Sequence, residues 1–246
     1  MRQAGLDVGS RSTELVVLEN GKAVVERRVD TTYDPLSQME QLLDGVAWDV
    51  MAATGYGRGL AAERFGATSL TEIRAYARGV HHLLPDARTV LDIGGQDTKV
   101  ISLSPEGRVV QFEMNDRCAA GTGKFLEFMA TGLQVPLPEF GEYALAGIPG
   151  TKINSMCTVF AESEATSLMA RGTRGEDIAL ALHESIVRRS ISMIRRVGLT
   201  EPVAFCGGVA LNACIRSLLR GELEGGLLVP DRPELVGALG AALLAE

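Results

Sequence analysis

Two carboxylates stand out by the residues that come after them. Asp7 opens Asp7-Val8-Gly9-Ser10-Arg11-Ser12-Thr13, and Asp92 opens Asp92-Ile93-Gly94-Gly95-Gln96-Asp97-Thr98. Each closes an apolar run that reads as a strand, and each leads directly into a polar, glycine-containing turn. Such turns bring backbone N–H groups close to a ligand, which is what a phosphate requires. Phosphates bring Mg²⁺, a hard cation that favours carboxylates, often through water. Two turns of this kind facing one another can hold a phosphate chain from opposite sides. The sequence has no G-x-x-x-x-G-K-[ST] loop, and no G-x-G-x-x-G with a distant acid supports a dinucleotide site.

The four cysteines divide into two kinds. Cys206 lies in the apolar run Val203-Ala204-Phe205-Cys206, and Cys214 is expected on one helix face with Leu211 and Leu218; both read as small buried hydrophobes. Cys118 lies in Asn115-Asp116-Arg117-Cys118-Ala119-Ala120-Gly121-Thr122-Gly123, ahead of a helix beginning near Lys124. Cys157 lies in Asn154-Ser155-Met156-Cys157-Thr158, ahead of the helix opened by Val159-Phe160-Ala161-Glu162-Ser163-Glu164. Loops that enter helix N-termini favour thiolates and anionic clusters. There is no C-x-x-C to suggest a zinc ribbon. An iron–sulfur cluster takes four cysteines, so two exposed ones per chain suffice only if a twofold axis supplies two more.

The elements that must position these groups repeat. Leu6 to Thr13 aligns with Leu91 to Thr98 without a gap, and apolar strands follow in both copies, Leu15-Val16-Val17-Leu18 and Val100-Ile101-Ser102-Leu103. Asn20-Gly21 predicts a tight hairpin, Pro105-Glu106-Gly107 a looser one, and third strands follow at Ala23-Val24-Val25 and Val109-Val110-Gln111. Asp34-Pro35 starts a helix that carries Leu36, Met39, Leu42 and Leu43 on one face. A long helix is expected from about Glu176 to Val197, with Ile178, Leu182, Ile186, Ser190 and Met193 along one side. A helix is expected directly after Gly207-Gly208, and the last helix is expected to begin at Pro233. His81, His82 and His183 fall on predicted helices without evident partners and read as structural or exposed. Glu162 and Glu164 are candidate site residues, although acids are favoured in a first helical turn in any case.

Composition bounds the function. The chain has 246 residues, 46% of them apolar, and a formal net charge of −7, which argues against nonspecific nucleic-acid binding. Its 28 glycines exceed the roughly 7% usual in proteins and cluster in short stretches. No signal-peptide stretch and no span of ~20 apolar residues is seen, so no membrane association is expected and the chain reads as cytoplasmic, its cysteines reduced.

The paired turns resemble those of the actin, Hsp70 and sugar-kinase superfamily, in which Asp7-Val8-Gly9-Ser10 matches the phosphate 1 motif and Asp92-Ile93-Gly94-Gly95 the phosphate 2 motif. Phe205-Cys206-Gly207-Gly208-Val209-Ala210 is similar to its adenosine motif, with cysteine where threonine is common, and Gly237-Ala238-Leu239-Gly240 to its second connecting helix. Asn115 to Glu127 and Cys157 to Glu164 resemble stretches specific to the 2-hydroxyacyl-CoA dehydratase activators, a branch that also includes ATP-binding subunits of benzoyl-CoA reductase. Thr54-Gly55-Tyr56-Gly57-Arg58 and Gly207 to Asn212 fit the same branch.

The resemblance implies an α/β, duplicated actin-like (ribonuclease H-like) two-lobed ATPase fold. The first lobe would span residues 1–86, rejoined by the C-terminal helix at about 232–246, and the second 87–231. It implies ATP/ADP held by Gly9, Ser10, Arg11, Ser12, Gly94, Gly95, Gln96, Asp97, Gly121, Thr122, Gly123, Gly207, Gly208, Val209 and Asn212. Asp7 would hold Mg²⁺ through water, and Asp92 would orient or activate the attacking water. Cys118 and Cys157 of each subunit would hold one [4Fe–4S] cluster per homodimer. ATP would then drive one electron, received from a ferredoxin or flavodoxin, to a separate iron–sulfur dehydratase or reductase. The alternatives are an ATP-binding subunit of a benzoyl-CoA reductase-type complex, or a small-molecule kinase of the same superfamily.

Overall fold

The computed structural model describes residues 1–154 and 157–246. In the first half, β1 (Arg2–Val8), β2 (Ser12–Glu19) and β3 (Lys22–Asp30) form a meander, followed by α1 (Pro35–Leu43), β4 (Val50–Gly55), α2 (Arg58–Phe65), β5 (Thr68–Ser69) and α3 (Glu72–Leu83). The second half repeats the meander as β6 (Thr89–Ile93), β7 (Thr98–Leu103) and β8 (Val109–Asn115). It continues through α4 (Gly123–Gly132), α5 (Phe140–Leu145), α6 (Thr158–Ala170) and α7 (Gly175–Val197) to β9 (Val203–Cys206), α8 (Ala213–Glu222), β10 (Leu227–Leu228) and α9 (Val236–Ala242).

The two sheets have equivalent orders, β3-β2-β1-β4-β5 and β10-β9-β6-β7-β8 read in the opposite sense. In each, the first two strands pair antiparallel and the fourth adds parallel to the first. Local chemistry explains the hairpins: Asn20 and Gly21 both adopt positive φ, the geometry a two-residue turn needs to match strand twist. The register carries the functional consequence. It sets Asp7 opposite Glu14 and beside Thr54, and Asp92 opposite Lys99 and beside Cys206.

Leu6, Leu15, Met39 and Leu42 build the core of the first sheet. A larger cluster of α4 to α8 side chains, with Phe140, Ile186 and Phe205, packs on the second. Each fully buried apolar side chain of this kind contributes about 1.5–3 kcal/mol. Helix α9 is buried along its whole length and packs against β1 and α3. That approach requires a small residue, since a Cβ on Gly240 would lie 1.8 Å from the Ala75 carbonyl oxygen.

Most expected elements appear at their expected places. Asp34 caps α1 by accepting from the Ser37 amide at 3.2 Å, and the long helix runs Gly175–Val197 with Ile178, Leu182, Ile186, Ser190 and Met193 buried. Two helix starts differ. A short 3-10 turn, Gly208–Leu211, precedes α8, which begins only after Asn212 supplies its side-chain cap. Leu211 therefore leaves the face of Cys214: it is exposed while Cys214 is buried. Likewise Pro233–Leu235 is a 3-10 turn and α9 proper begins at Val236.

Candidate functional site

The ends of β1 and β6 open into one cleft of about 540 Å³ between the two sheets. The two polar turns at its floor are built alike. Gly9 N–H donates to the Ser12 carbonyl, and Gly94 N–H donates to the Asp97 carbonyl, both at 3.0 Å. The turns touch each other: a Cβ on Gly95 would lie 2.2 Å from Arg11 Cγ, so only glycine allows this approach.

Around the turns the site is acidic, and Asp7, Glu14, Asp92 and Asp97 are buried. Asp7 is buried, with α9 so close that a Cβ on Gly237 would lie 2.0 Å from Asp7 Oδ2. Burial, then Glu14 and Glu72, push its carboxyl well above the usual range. Glu14, opposite Asp7, is pushed up to about 7, mainly by burial, with Arg28 3.6 Å away as partial compensation. Asp92 is fully buried and pushed up to about 6 by burial, which outweighs the lowering effect of Lys99.

Lys99 is the counter-cation of this site. Its Nζ lies 2.6 Å from Glu72 Oε2, 2.9 Å from Asp97 Oδ2 and 3.0 Å from Asp92 Oδ2, and 5.5 Å above the centre of the Tyr76 ring. Burial alone would lower its pKa, but the three carboxylates hold it well above the ordinary lysine value. Asp92 Oδ1, by contrast, is buried with no hydrogen-bond partner. An orphaned carboxylate oxygen, beside Asp7 and Glu14 that are both held toward protonation, is a donor set short of positive charge. A hydrated Mg²⁺ fits it.

The other end of the cleft suits a flat apolar group. Gly207 adopts φ +83°, and a Cβ there would strike Asp92 Oδ1 at 2.4 Å. Beyond it Val209, Leu211, Leu126, Leu137 and Pro138 provide apolar walls. Of the residues singled out from the sequence, Asp7, Gly9, Ser10, Arg11, Ser12, Asp92, Gly94, Gly95, Asp97, Gly123, Gly207, Gly208, Val209 and Asn212 all line this cleft.

Three do not. Gln96 faces an adjoining recess with Tyr33, Arg11 and Lys124. Gly121 and Thr122 lie behind the second turn: Thr98 Oγ1 donates to the Gly121 carbonyl at 3.2 Å, and Thr122 is wholly buried. The reason is that the first amides of α4 do not face a ligand. Gly123 N–H donates to the Gly94 carbonyl at 2.9 Å and Lys124 N–H to the Gly95 carbonyl at 2.7 Å, so α4 clamps the second turn. Arg11 reaches across to Glu127 on the same helix at 2.8 Å.

That clamp leads directly to Cys118. Thr122 Oγ1 donates to the Ala119 carbonyl at 2.6 Å, and Asn115 Nδ2 donates to the Cys118 carbonyl at 3.0 Å. Cys118 is exposed, four residues ahead of the α4 cap rather than at the helix end itself; Cys157 is exposed and is the N-cap residue of α6. Ser155 and Met156 of the second cysteine stretch lie outside the described residues. Cys206 and Cys214 are buried, and burial raises both thiols, Cys214 to about 12. Among the described residues no group of three or more His, Cys, Asp or Glu side chains converges to ligate a metal directly, so Mg²⁺ at Asp7, Glu14 and Asp92 would be held through water. The donor set one chain offers to a cluster is two exposed thiols. Glu162 is exposed, Glu164 accepts from the Asn154 amide at 3.1 Å, and neither lines the cleft.

Several site residues carry no motif in the sequence. Lys99, Glu14, Glu72 and Tyr76 arise from pairing between strands and from α3, and Leu137 and Pro138 from the segment after α4. His183, expected to lack a partner, is buried and bonded to Asn212 at 3.0 Å. Its pKa is lowered to about 4, chiefly by burial.

Comparison with known proteins gives the family and the fold. The model of the BadF/BadG/BcrA/BcrD ATPase family matches residues 4–245. The chain is 39% identical to the 2-hydroxyisocaproyl-CoA dehydratase activator of Clostridioides difficile, covering 100% of this chain and 95% of that protein. It is 40% identical to the activator of lactoyl-CoA dehydratase of Anaerotignum propionicum, covering 100% and 97%. A solved structure of the activator of 2-hydroxyisocaproyl-CoA dehydratase from Clostridium difficile with bound ADPNP superposes with a TM-score of 0.92, covering 100% of this chain and 94% of that one. A ROK family glucokinase from Streptomyces griseus, 11% identical, shares the two-lobed actin-like fold with a TM-score of 0.63 over 100% of this chain and 99% of that one.

Proposed function

Because the chain belongs to the BadF/BadG/BcrA/BcrD ATPase family, we propose that it is an ATP-dependent one-electron donor that activates a separate 2-hydroxyacyl-CoA dehydratase. Two copies would supply Cys118 and Cys157 each to one [4Fe–4S] cluster on a twofold axis. When bound, that cluster supplies a single low-potential electron.

The protein's own residues do the rest. The two turns cradle the phosphates; Asp7 and Glu14 favour Mg²⁺ and its water; Asp92, held by Lys99, orients the attacking water. The apolar walls at Leu126, Val209 and Leu211 take the adenine. Hydrolysis changes the charge facing the Asp92 turn, and α4 carries that change toward Cys118. The observation that carries the reading is this clamp. The carbonyls of Gly94 and Gly95 bond to the first amides of the helix whose preceding loop holds an exposed cysteine. A kinase needs no such connection, and a ligand shifts a conformational equilibrium only through contacts that differ between its states.

The test uses the anaerobically purified protein with reductant, Mg-ATP and a 2-hydroxyacyl-CoA dehydratase. Activation of the dehydratase that requires ATP hydrolysis and iron supports the proposal. Phosphorylation of a sugar or carboxylic acid by an iron-free chain would replace it with the kinase reading.

A further inference from the structure

Asn212 sits at the adenosine end of the cleft, and its amide is fixed from both sides. Its Oδ1 accepts from the Ile215 amide at 3.0 Å, the cap of α8. Its Nδ2 lies 3.0 Å from His183 Nε2. The His183 ring in turn has its Nδ1 2.7 Å from the Ala179 carbonyl. A carbonyl can only accept, so Nδ1 carries the hydrogen, Nε2 is the acceptor, and the Asn212 amide can only present its NH₂ to it. The Phe140 ring packs against the imidazole tilted by 55°, with centroids 4.9 Å apart, and His183 is fully buried. Behind the amide there is no slack, because a Cβ on Gly141 would lie 2.9 Å from Asn212 Oδ1.

The arrangement is thus a relay from the α7 backbone, through a single imidazole tautomer, to the orientation of one cleft-lining amide. We propose that His183 is a positioning residue for adenosine recognition: it holds Asn212, and with it the start of α8, in the orientation that receives the nucleoside. The neutral state needed for this is the one burial favours, since the ring's pKa is lowered to about 4. The inference rests on the cleft being a nucleotide site, and it concerns the nucleoside end only. The phosphate turns at Asp7 and Asp92 make no contact with the relay through any of these bonds.

The experiment measures binding of Mg-ADP and of magnesium tripolyphosphate, which lacks the nucleoside, to the anaerobically purified protein by titration calorimetry. His183→Leu removes the acceptor and is expected to weaken Mg-ADP binding about tenfold, roughly the loss of one buried hydrogen bond. Tripolyphosphate binding should stay within about twofold of the parent on the same scale. His183→Gln places an acceptor near the Nε2 position and should recover most of the ADP affinity, whereas His183→Asn, whose amide reaches only the Nδ1 position, should not. If the Leu variant does not fold, the Gln and Asn pair gives the same decision. Equal losses for ADP and tripolyphosphate, or equal behaviour of the Gln and Asn variants, would overturn the positioning role. Absence of ADP binding by the parent protein would instead overturn the nucleotide reading beneath it.

Discussion

Lys99→Met removes the one ammonium that two buried carboxylates, Asp92 and Asp97, share with the half-buried Glu72. At an effective dielectric of about 20, a contact near 3 Å carries roughly 5–6 kcal/mol of gross attraction, most of it offset by the loss of hydration. Removing one partner of such a buried set costs about 3–5 kcal/mol, because the remaining charges stay buried and uncompensated. The cost must depend on pH. Asp92 is already raised to about 6 with Lys99 present, and without the lowering effect of Lys99 it gains further proton affinity in the folded state. Protonation relieves the folded variant at acid pH, so its deficit should grow as pH rises. Urea unfolding of the ligand-free protein should therefore show a loss of about 3–5 kcal/mol at pH 8 and a clearly smaller loss at pH 5.5. A loss below about 1 kcal/mol at pH 8, or the same loss at both values, would refute the role given to Lys99.

Asp7→Ala and Asp92→Ala should each slow ATP hydrolysis at least ~100-fold, since each removes charge organisation around the transferred phosphoryl group; ordinary turnover in both would remove the assignment. In the ligand-free protein Glu14 and Asp92 have folded pKa values raised to about 7 and about 6. The folded state thus binds more protons than the unfolded one between roughly pH 4 and 7, and stability falls as pH rises through that window. Mg-ADP should accordingly raise the thermal midpoint more at pH 7.5 than at pH 5.5 and release protons on binding near pH 6.5, which calorimetry in buffers of different ionisation enthalpy would detect. Cys118→Ser and Cys157→Ser should each abolish bound iron and sulfide, while Cys206→Ser and Cys214→Ser, at buried positions, should retain both. Iron retained by the Cys118 variant would contradict the ligand set.

The parts of the site that depend on local backbone chemistry are legible in the sequence. A carboxylate at a strand end with glycine after it, and an Asn-Gly hairpin, depend on neighbours a few residues away. Lys99 and Glu14 are harder to find, although a signal exists. They occupy the same place in the repeat, each opposite its aspartate across the first hairpin, and each is a buried charge directly before an apolar run. A charged group in a strand buried on both faces must have a partner, and that partner is a functional hint. Leu137 and Pro138 give no such signal, because their place in the cleft with Val209 depends on how the segment after α4 packs on the second sheet. Gly121 and Thr122 resemble phosphate binders because a small-residue turn before a helix usually leaves its amides free. Here the carbonyls of Gly94 and Gly95 take the amides at the start of that helix. His183 looks isolated in the sequence because Asn212 lies 29 residues away.

In the proposed function, nucleotide in the cleft acts on the cysteines through the Asp92 turn and α4. The direct measurement is the rate at which a chelator removes iron from the anaerobically purified dimer with ADP and with a non-hydrolysable ATP analogue, using protein that carries about four irons per two chains. The rates should differ several-fold between the two nucleotides, and the difference should disappear in Asp92→Ala. A modest nucleotide preference of ~1.4 kcal/mol, which is ~59 mV for a one-electron couple, is enough to produce such a change. Equal rates in both nucleotide states of the parent protein, with nucleotide and iron both bound, would contradict it.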